Sequence, residues 1–286
     1  MLPVLFTLFG LPIQSYGVSK ALAALVAGWL LARLFVRRGL NSDDAYTMTF
    51  AGTVWGFVGA KAYFLLEHLP NLTWHDLGSS GFTWYGGFLA GVVAVVVVAR
   101  RRGLPLLLIA GLAAAPLSVA YGIGRLGCLL AGDGTYGRPS TLPWAMAFPD
   151  GMVPTTVPVQ PTPLYEALVA FALAGALWWL QERFQPVIVV VTYLVVTGVA
   201  RFMIEFAREN TLTPLGLTQP QVWSVFLVAA GILLAVRSRR RDPHLAKAMR
   251  NVTTAGNAGQ DIPSSGELHQ IFIISRSGRH DRRRTL

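Results

Sequence analysis

Seven apolar segments, each close to the length of a membrane-crossing helix, dominate this sequence. A helix needs roughly 20 apolar residues to cross the hydrocarbon core of a bilayer, and polar or proline-rich breaks separate segments of that size. The chain of 286 residues is 53% hydrophobic and 13% charged, which is outside the range typical of soluble domains. We therefore predict an all-α, polytopic integral membrane protein with about seven transmembrane helices. The predicted spans are residues 15–36, 46–66, 82–99, 104–130, 163–181, 187–206 and 220–236.

The positions of lysine and arginine predict the orientation of these spans. Short cytoplasmic loops carry an excess of basic residues. The loop at residues 67–81 contains neither Lys nor Arg, as expected of an outer loop. Basic clusters instead follow every odd-numbered span, at Arg33, Arg37 and Arg38, at Arg100, Arg101 and Arg102, at Arg183, and at Arg237, Arg239, Arg240 and Arg241. This pattern predicts an N-terminus outside the cell and a cytoplasmic C-terminus in a multi-pass membrane protein.

The distribution of charge also predicts the domain organisation. Residues 1–240 are expected to form one domain of seven transmembrane helices, whose first residues, interrupted by Pro3 and Pro12, form a short interfacial arm. Residues 241–286 are polar and basic, which predicts a disordered cytoplasmic tail. Nearly half of the 24 Lys and Arg residues lie after residue 236, so the net charge of +10 indicates attraction to an anionic inner leaflet rather than to nucleic acid. The single cysteine, Cys128, excludes an internal disulfide.

Few basic residues remain once the inner loops and the tail are set aside. They are Lys20, Lys61, Arg125, Arg138, Arg201 and Arg208. The predicted orientation places Arg125 and Arg201 at similar depth in the outer half of the membrane. Inserting an arginine at the bilayer centre costs roughly 2.5–3.5 kcal/mol, so an arginine within the membrane indicates a functional site by default. The planar fork of arginine matches phosphate oxygens, so we interpret the two as binding a phospholipid headgroup.

Each of these residues also has a structural interpretation. Tyr16 and Tyr85 are equally consistent with interfacial anchors, and Gly122, Gly124 and Gly127 favour close helix packing. The alternative for the two arginines is an internal ion pair with Glu205 or Asp133, which we favour less. The later glycines, Gly132, Gly134 and Gly137, lack the GK[ST] ending of a nucleotide P-loop and indicate a flexible backbone near an anion.

Five sequence blocks resemble a known family. The block GRLGCLLAGDGTYGRPS at 124–140 resembles the signature of bacterial prolipoprotein diacylglyceryl transferases. Four others, SYG at 15–17, WYGGFLAG at 84–91, PTPLYEA at 161–167 and RFMIEFAREN at 201–210, resemble further blocks of this family in the same order. Together the five blocks are spread over nearly all of residues 14–240. The predicted topology places them on the same side of the membrane as in the family.

The resemblance implies a reaction without a metal or a cofactor. The family transfers the diacylglyceryl group of phosphatidylglycerol to the lipobox cysteine thiol of a prolipoprotein signal peptide, at the outer face of the cytoplasmic membrane. The implied catalytic residues are Arg125 for the lipid phosphate, Arg201 for the charge that develops on the leaving group, and Tyr85. Glu205 and Arg208 would hold Arg201 in place, and the implied substrate-binding residues are Arg125, Tyr16, Cys128, Gly137, Glu166, Glu205 and Arg208.

The chain departs from the family pattern at three positions. Tyr85 replaces a frequent histidine, the proposed base for the thiol, and an ordinary tyrosine is a poor base at neutral pH. Cys128 replaces a common asparagine and is better interpreted as a small buried side chain than as a nucleophile. Thr197 replaces a frequent tyrosine. His68 and His75 would be bases only if the first outer loop folded over the site, which we do not expect.

Two other functions are considered. An anion transporter would need polar residues across the full membrane depth, and the inner halves of spans three, five and six have almost none. A catalytically altered relative could bind phospholipid without transfer, and the sequence does not separate it from an active enzyme. The proline-rich outer loop at 139–163, with Trp144, Met146, Phe148 and Met152, is expected to admit the protein substrate.

Overall fold

The structure, a computed structural model, is mostly helical and describes residues 1–69, 73 and 81–241. Within these residues, each predicted apolar segment falls in a helix. The helices are α1 (Ser15–Arg37), α2 (Ser42–Glu67), α3 (Trp84–Arg101), α4 (Leu106–Ala131), α5 (Thr162–Arg183), α6 (Pro186–Glu205) and α7 (Gln219–Arg241). The prediction of a disordered tail falls on residues outside the described part of the chain.

Five of these helices are long and apolar enough to cross a membrane. They are α1, α4, α5, α6 and α7, judged by length and composition within the described residues. The membrane character predicted from the sequence is therefore confirmed. The count of seven spans and the orientation of the termini stay predictions.

Local sequence signals set the helix boundaries. Gly39 follows α1 with a φ of 69°, and the side chain of Asn41 caps α2 by accepting a hydrogen bond from the Asp43 amide at 2.9 Å. Pro186 occupies the first position of α6. A backbone N–H at this position has no partner within the helix, so the missing N–H of proline carries no cost there. Gly132, with a φ of 61°, ends α4 in the left-handed conformation. The short connections between α1 and α2 and between α5 and α6 make the helices that they join antiparallel neighbours.

The helices pack as a bundle in which α4 is central. Helix α4 packs against α1, α5 and α6, while α2 packs along α3 and α6 along α7. The expected role of the α4 glycines in close packing is confirmed, because a Cβ atom at Gly127 would meet Ser19 of α1 and one at Gly122 would lie 2.8 Å from the Phe171 ring of α5. The end of α4 that bears Arg125 is thereby held against α1 and α5.

Two small antiparallel sheets add to the all-α prediction. Strands β1 (Val4–Leu8) and β2 (Leu11–Gln14) form a hairpin where a short interfacial arm was expected. Strands β3 (Met146–Phe148) and β4 (Thr155–Val159) form a second one inside the loop at 139–163. A proline is tolerated in β2 because a two-stranded sheet consists of edge strands only.

Candidate active site

A buried carboxylate, Glu166, is the centre of the candidate site. Glu166 lies in the first turns of α5, and its side chain is 2% exposed. Its Oε2 atom lies 2.7 Å from Nε of Arg125 and its Oε1 atom lies 2.5 Å from Nη1 of Arg201. Nη2 of Arg208 approaches Oε2 at 3.5 Å. One carboxylate from α5 therefore joins arginines from α4, from α6 and from the segment after α6.

A second carboxylate, Glu205, holds Arg201 from the other side. Glu205 is one helical turn after Arg201 in α6, and its Oε2 atom lies 3.1 Å from Nη2 of Arg201. Its Oε1 atom accepts a hydrogen bond from the side chain of Asn210. Both terminal nitrogens of Arg201 thus face carboxylates, and the expected role of Glu205 in positioning Arg201 stays a prediction that this contact supports. Arg208 contacts Glu166 rather than Arg201.

The less favoured alternative for the arginines, internal pairing, is what the structure shows. Arg201 does pair with Glu205, as that alternative stated, but Arg125 pairs with Glu166 and not with Asp133. The reason is geometric, since the packing of α4 against α5 brings Glu166 to the guanidinium. Asp133 instead closes a turn, accepting hydrogen bonds from the amide and hydroxyl of Thr135 at 3.1 and 2.6 Å.

The pairing does not neutralise the cluster. Three guanidinium groups, of Arg125, Arg201 and Arg208, share two carboxylates, of Glu166 and Glu205, so one positive charge is unmatched. Arg125 and Arg201 are 18% and 19% exposed, so each reaches the surface of the bundle. The arrangement suits a bound anion, because the carboxylates fix the guanidinium groups and leave part of each accessible.

Arg125 presents its terminal nitrogens away from Glu166. It faces the carboxylate with Nε, and within the described residues its terminal nitrogens form no ion pair. Its guanidinium carbon lies 5.0 Å from the ring centroid of Tyr121, one helical turn earlier, within the range of a cation–π interaction. Tyr121, which is 41% exposed, was missed from the sequence. Its position one turn before the arginine was the available signal.

The glycine-rich loop after α4 is fixed to the segment after α6. The amide of Arg138 donates to Ala207 O at 2.9 Å, and a Cβ atom at Gly137 would collide with that same residue. Nη2 of Arg208 donates to Thr135 O at 2.6 Å, and its Nε donates to the Thr162 hydroxyl at 3.3 Å. Burial lowers the pKa of Arg208, an effect opposed by the Glu166 carboxylate. Gly137 therefore serves a close approach of two backbone segments rather than the expected flexibility.

Tyr16 and Cys128 lie on the α1 side of Arg125. Cys128 is a buried free cysteine, as expected, within electrostatic range of Asp133. Tyr16 lies near the start of α1, within electrostatic range of Cys128, Asp133 and Arg125. Both residues border the arginine cluster without joining its ion pairs.

Tyr85 lies on the Arg201 side of the cluster. It is the second residue of α3, and its ring centroid is 5.5 Å from that of Trp223 in α7. Arg201 is within electrostatic range of Tyr85. His68 stays against its own helix, with Nδ1 at 2.9 Å from Phe64 O, and His75 lies outside the described residues.

A family model for prolipoprotein diacylglyceryl transferases matches residues 3–237 of the chain. The chain belongs to this family. The resemblance found in the five sequence blocks is thus confirmed, and the family is one of transferases, so the chain is classed as an enzyme.

Relatives from several bacteria cover the same region. Proteins named phosphatidylglycerol–prolipoprotein diacylglyceryl transferase are 32% identical over 242 residues in Clostridium tetani and 32% identical over 257 residues in Geobacter sulfurreducens. These matches cover 82% and 84% of this chain and 96% of each relative. A Clostridium perfringens relative of the same name, numbered 2, is 31% identical over 240 residues, which cover 81% of this chain and 93% of that protein.

Proposed function

We propose that the chain transfers the diacylglyceryl group of phosphatidylglycerol to the lipobox cysteine thiol of prolipoprotein signal peptides. The names of the curated relatives give the two substrates. The observation that carries the proposal is the cluster around Glu166, in which buried carboxylates align Arg125 and Arg201 at one end of the helix bundle. The residues of the cluster come from three of the five blocks that resemble the family.

The chemistry of the transfer requires cations at this place. The thiolate sulfur attacks the glyceryl carbon that carries the phosphate ester, a carbon–sulfur bond forms, and the carbon–oxygen bond breaks. Its electrons pass to the phosphate, which leaves as glycerol phosphate with more negative charge than the diester had. Guanidinium groups that are already aligned stabilise this charge without reorganisation.

The residues divide this work between them. Arg125 binds the lipid phosphate with its accessible terminal nitrogens, while Arg201, fixed by Glu166 and Glu205, faces the charge that develops on the leaving oxygen. Glu166, Glu205 and Arg208 therefore act by positioning the two arginines rather than by direct contact with the substrate. The positive field of the arginines favours the substrate thiolate.

Tyr85, Tyr16 and Cys128 complete the proposed site. The Tyr85 hydroxyl is a hydrogen-bonding partner for the thiol or the phosphate on the Arg201 side. Tyr16 and Cys128 line the lipid-binding region on the α1 side, where Cys128 replaces the amide that is common in the family. In the outer loop, the indole of Trp144 donates to the Tyr165 hydroxyl at 2.6 Å, which fastens the β3–β4 hairpin to α5 beside the site.

The topology of the proposal has seven spans in residues 1–240, with the site facing outwards. The cytoplasmic tail, residues 241–286, lies at the inner leaflet of the cytoplasmic membrane. An impermeant maleimide tests this orientation, because the native Cys128 is buried. In intact cells, Thr141→Cys should be labelled and Glu182→Cys, at the other end of α5, should be labelled only after permeabilisation. The reverse result would place the arginine cluster on the cytoplasmic side and would refute the proposal.

A direct assay tests the reaction. Purified protein in phosphatidylglycerol nanodiscs should convert a lipobox peptide to a product with the mass of the diacylglyceryl thioether. Arg125→Ala and Arg201→Ala should each abolish the product. Native protein that binds phosphatidylglycerol tightly but forms no product would instead identify a lipid-binding relative, an outcome that Tyr85 in the place of the usual histidine favours.

A further inference from the structure

Lys20 is a cation within a predicted transmembrane span that takes no part in the ion pairs around Glu166. It lies in the second turn of α1, is half-buried, and its Nζ atom is 4.8 Å from the ring centroid of Tyr16. Within the part of the chain that the structure describes, Lys20 has no carboxylate within ion-pair distance, in contrast to Arg125, Arg201 and Arg208. A lysine at this depth without an acidic partner is a candidate for binding an anion from outside the protein.

The ammonium group of Lys20 reaches α4 next to Arg125. A Cβ atom at Gly124 would lie 3.2 Å from Nζ, so the absence of a side chain at Gly124 makes room for the lysine. Cys128, one turn further along α4, is within electrostatic range of both Lys20 and Arg125. Lys20 therefore approaches the arginine from the α1 side, opposite to the Glu166 carboxylate that binds Nε of Arg125.

The charge count gives Lys20 a role. The cations of Arg125, Arg201 and Arg208 share the anions of Glu166 and Glu205, so the cluster carries one unmatched positive charge. Lys20 adds a second positive charge beside Arg125. A phosphodiester supplies one negative charge and the departing glycerol phosphate supplies a second, so either can offset this excess.

We propose that Lys20 binds the phosphate group of a glycerol phosphate ester together with the terminal nitrogens of Arg125. The inference rests on the proposed function for the identity of that ester, which is either the lipid headgroup or the released glycerol phosphate. The phosphate lies between α1 and α4, with Lys20 supplying a point charge and Arg125 a planar pair of donors. In this role the lysine binds the phosphate and does not act as the base for the thiol.

The test compares three lysine variants. Lys20→Met removes the charge, Lys20→Arg keeps it, and Lys61→Met removes the charge of another half-buried lysine, on α2. Binding is measured by native mass spectrometry with phosphatidylglycerol nanodiscs and, separately, with soluble glycerol phosphate. The loss of a charge-assisted contact should weaken binding by about tenfold or more in Lys20→Met. Lys20→Arg should stay within about threefold of the native protein, and Lys61→Met should be unchanged.

The two ligands distinguish the source of the phosphate. Weaker binding of the lipid assigns Lys20 to the substrate headgroup, and weaker binding of glycerol phosphate alone assigns it to the leaving product. Native affinity of Lys20→Met for both ligands would overturn the inference, as would an equal loss in Lys61→Met. Lys20→Gln replaces Lys20→Met if thermal unfolding without lipid shows that the methionine variant does not fold.

Kinetics separate this inference from the proposed function. In the transfer assay, Lys20→Met should raise the KM for the mole fraction of phosphatidylglycerol about tenfold and change kcat much less, because the lysine binds the phosphate in substrate and transition state alike. An unchanged KM together with native affinity of Lys20→Met for glycerol phosphate, in a protein whose native form carries out transfer, would refute the lysine role alone. Weakened lipid binding in a protein that forms no thioether would refute the transfer and leave the lysine role intact.

Discussion

Replacing Glu166 by glutamine tests the idea that one carboxylate organises the whole site. The substitution keeps the shape of the side chain but removes the charge that Arg125 and Arg201 contact at 2.7 and 2.5 Å. Glu166 is 2% exposed, so water cannot take over the role of the carboxylate. The amide nitrogen of a glutamine would also present a donor to one guanidinium donor. The buried arginines would then repel each other and turn away from their aligned positions.

The expected size of the effect follows from this burial. Removing one partner of a buried ion pair costs roughly 3–5 kcal/mol, because the remaining charge stays desolvated. In a domain of this size a loss of 1 kcal/mol lowers Tm by about 2–4 °C, so Glu166→Gln should lower Tm by about 6–20 °C. Transfer should be lost as well, since Arg125 and Arg201 are positioned through the same carboxylate.

A matched control separates this effect from the general effect of removing a carboxylate. Glu182 pairs with Arg37 at 3.4 Å, but the two side chains are 52% and 61% exposed, and such exposed pairs contribute about 0–1 kcal/mol. Glu182→Gln should therefore leave Tm and transfer close to native. Thermal unfolding in nanodiscs and the thioether assay measure both quantities. If Glu166→Gln resembled Glu182→Gln in both, the argument that the carboxylate holds the arginines would be refuted.

Three further substitutions probe single contacts, each measured by transfer and by thermal unfolding. Arg125→Lys should lower transfer by about 100-fold, because an ammonium cannot contact a carboxylate and a phosphate in two directions as the guanidinium does; near-native transfer would contradict this. Tyr85→Phe should cost less than about tenfold, and a loss equal to that of Arg125→Lys would make the hydroxyl an obligatory base. Gly137→Ala should destabilise the protein by about 1–3 kcal/mol, since its Cβ collides with Ala207 O, whereas Gly175→Ala, with no atom within 4 Å, should be neutral or stabilising.

The sequence predicted the helices well because the bilayer imposes a length on each of them. The predicted spans at 15–36 and 104–130 correspond to Ser15–Arg37 and Leu106–Ala131 in the structure. The hairpin at Val4–Leu8 and Leu11–Gln14 was missed, because the two prolines of this segment were interpreted as interrupting an irregular arm. A turn with positive φ at Phe9 and Gly10 joins the strands, and Gly10 was its signal in the sequence.

The candidate site could be predicted only in part. The sequence predicted that Arg125 and Arg201 lie at similar depth, because the depth of a residue follows from its position along a predicted span. Their common partner, Glu166, depends instead on the rotation of α5 about its axis and on its packing against α4, and both are set by contacts distant in sequence. The direction of the Lys20 side chain also depends on a residue distant in sequence, because it uses the space left at Gly124.

Burying several charges in a membrane is costly, and the arrangement here reduces that cost without removing the function. Three isolated guanidinium groups at this depth would repel each other. They would therefore have no fixed positions when a thiol-bearing peptide binds. Full neutralisation by carboxylates would remove the attraction for a phosphate. Sharing Glu166 among Arg125, Arg201 and Arg208 fixes the geometry with few anions. An anionic headgroup would offset the charge then left unmatched, so under the proposed function the ion pairs that stabilise the fold also set the affinity of the site for its lipid.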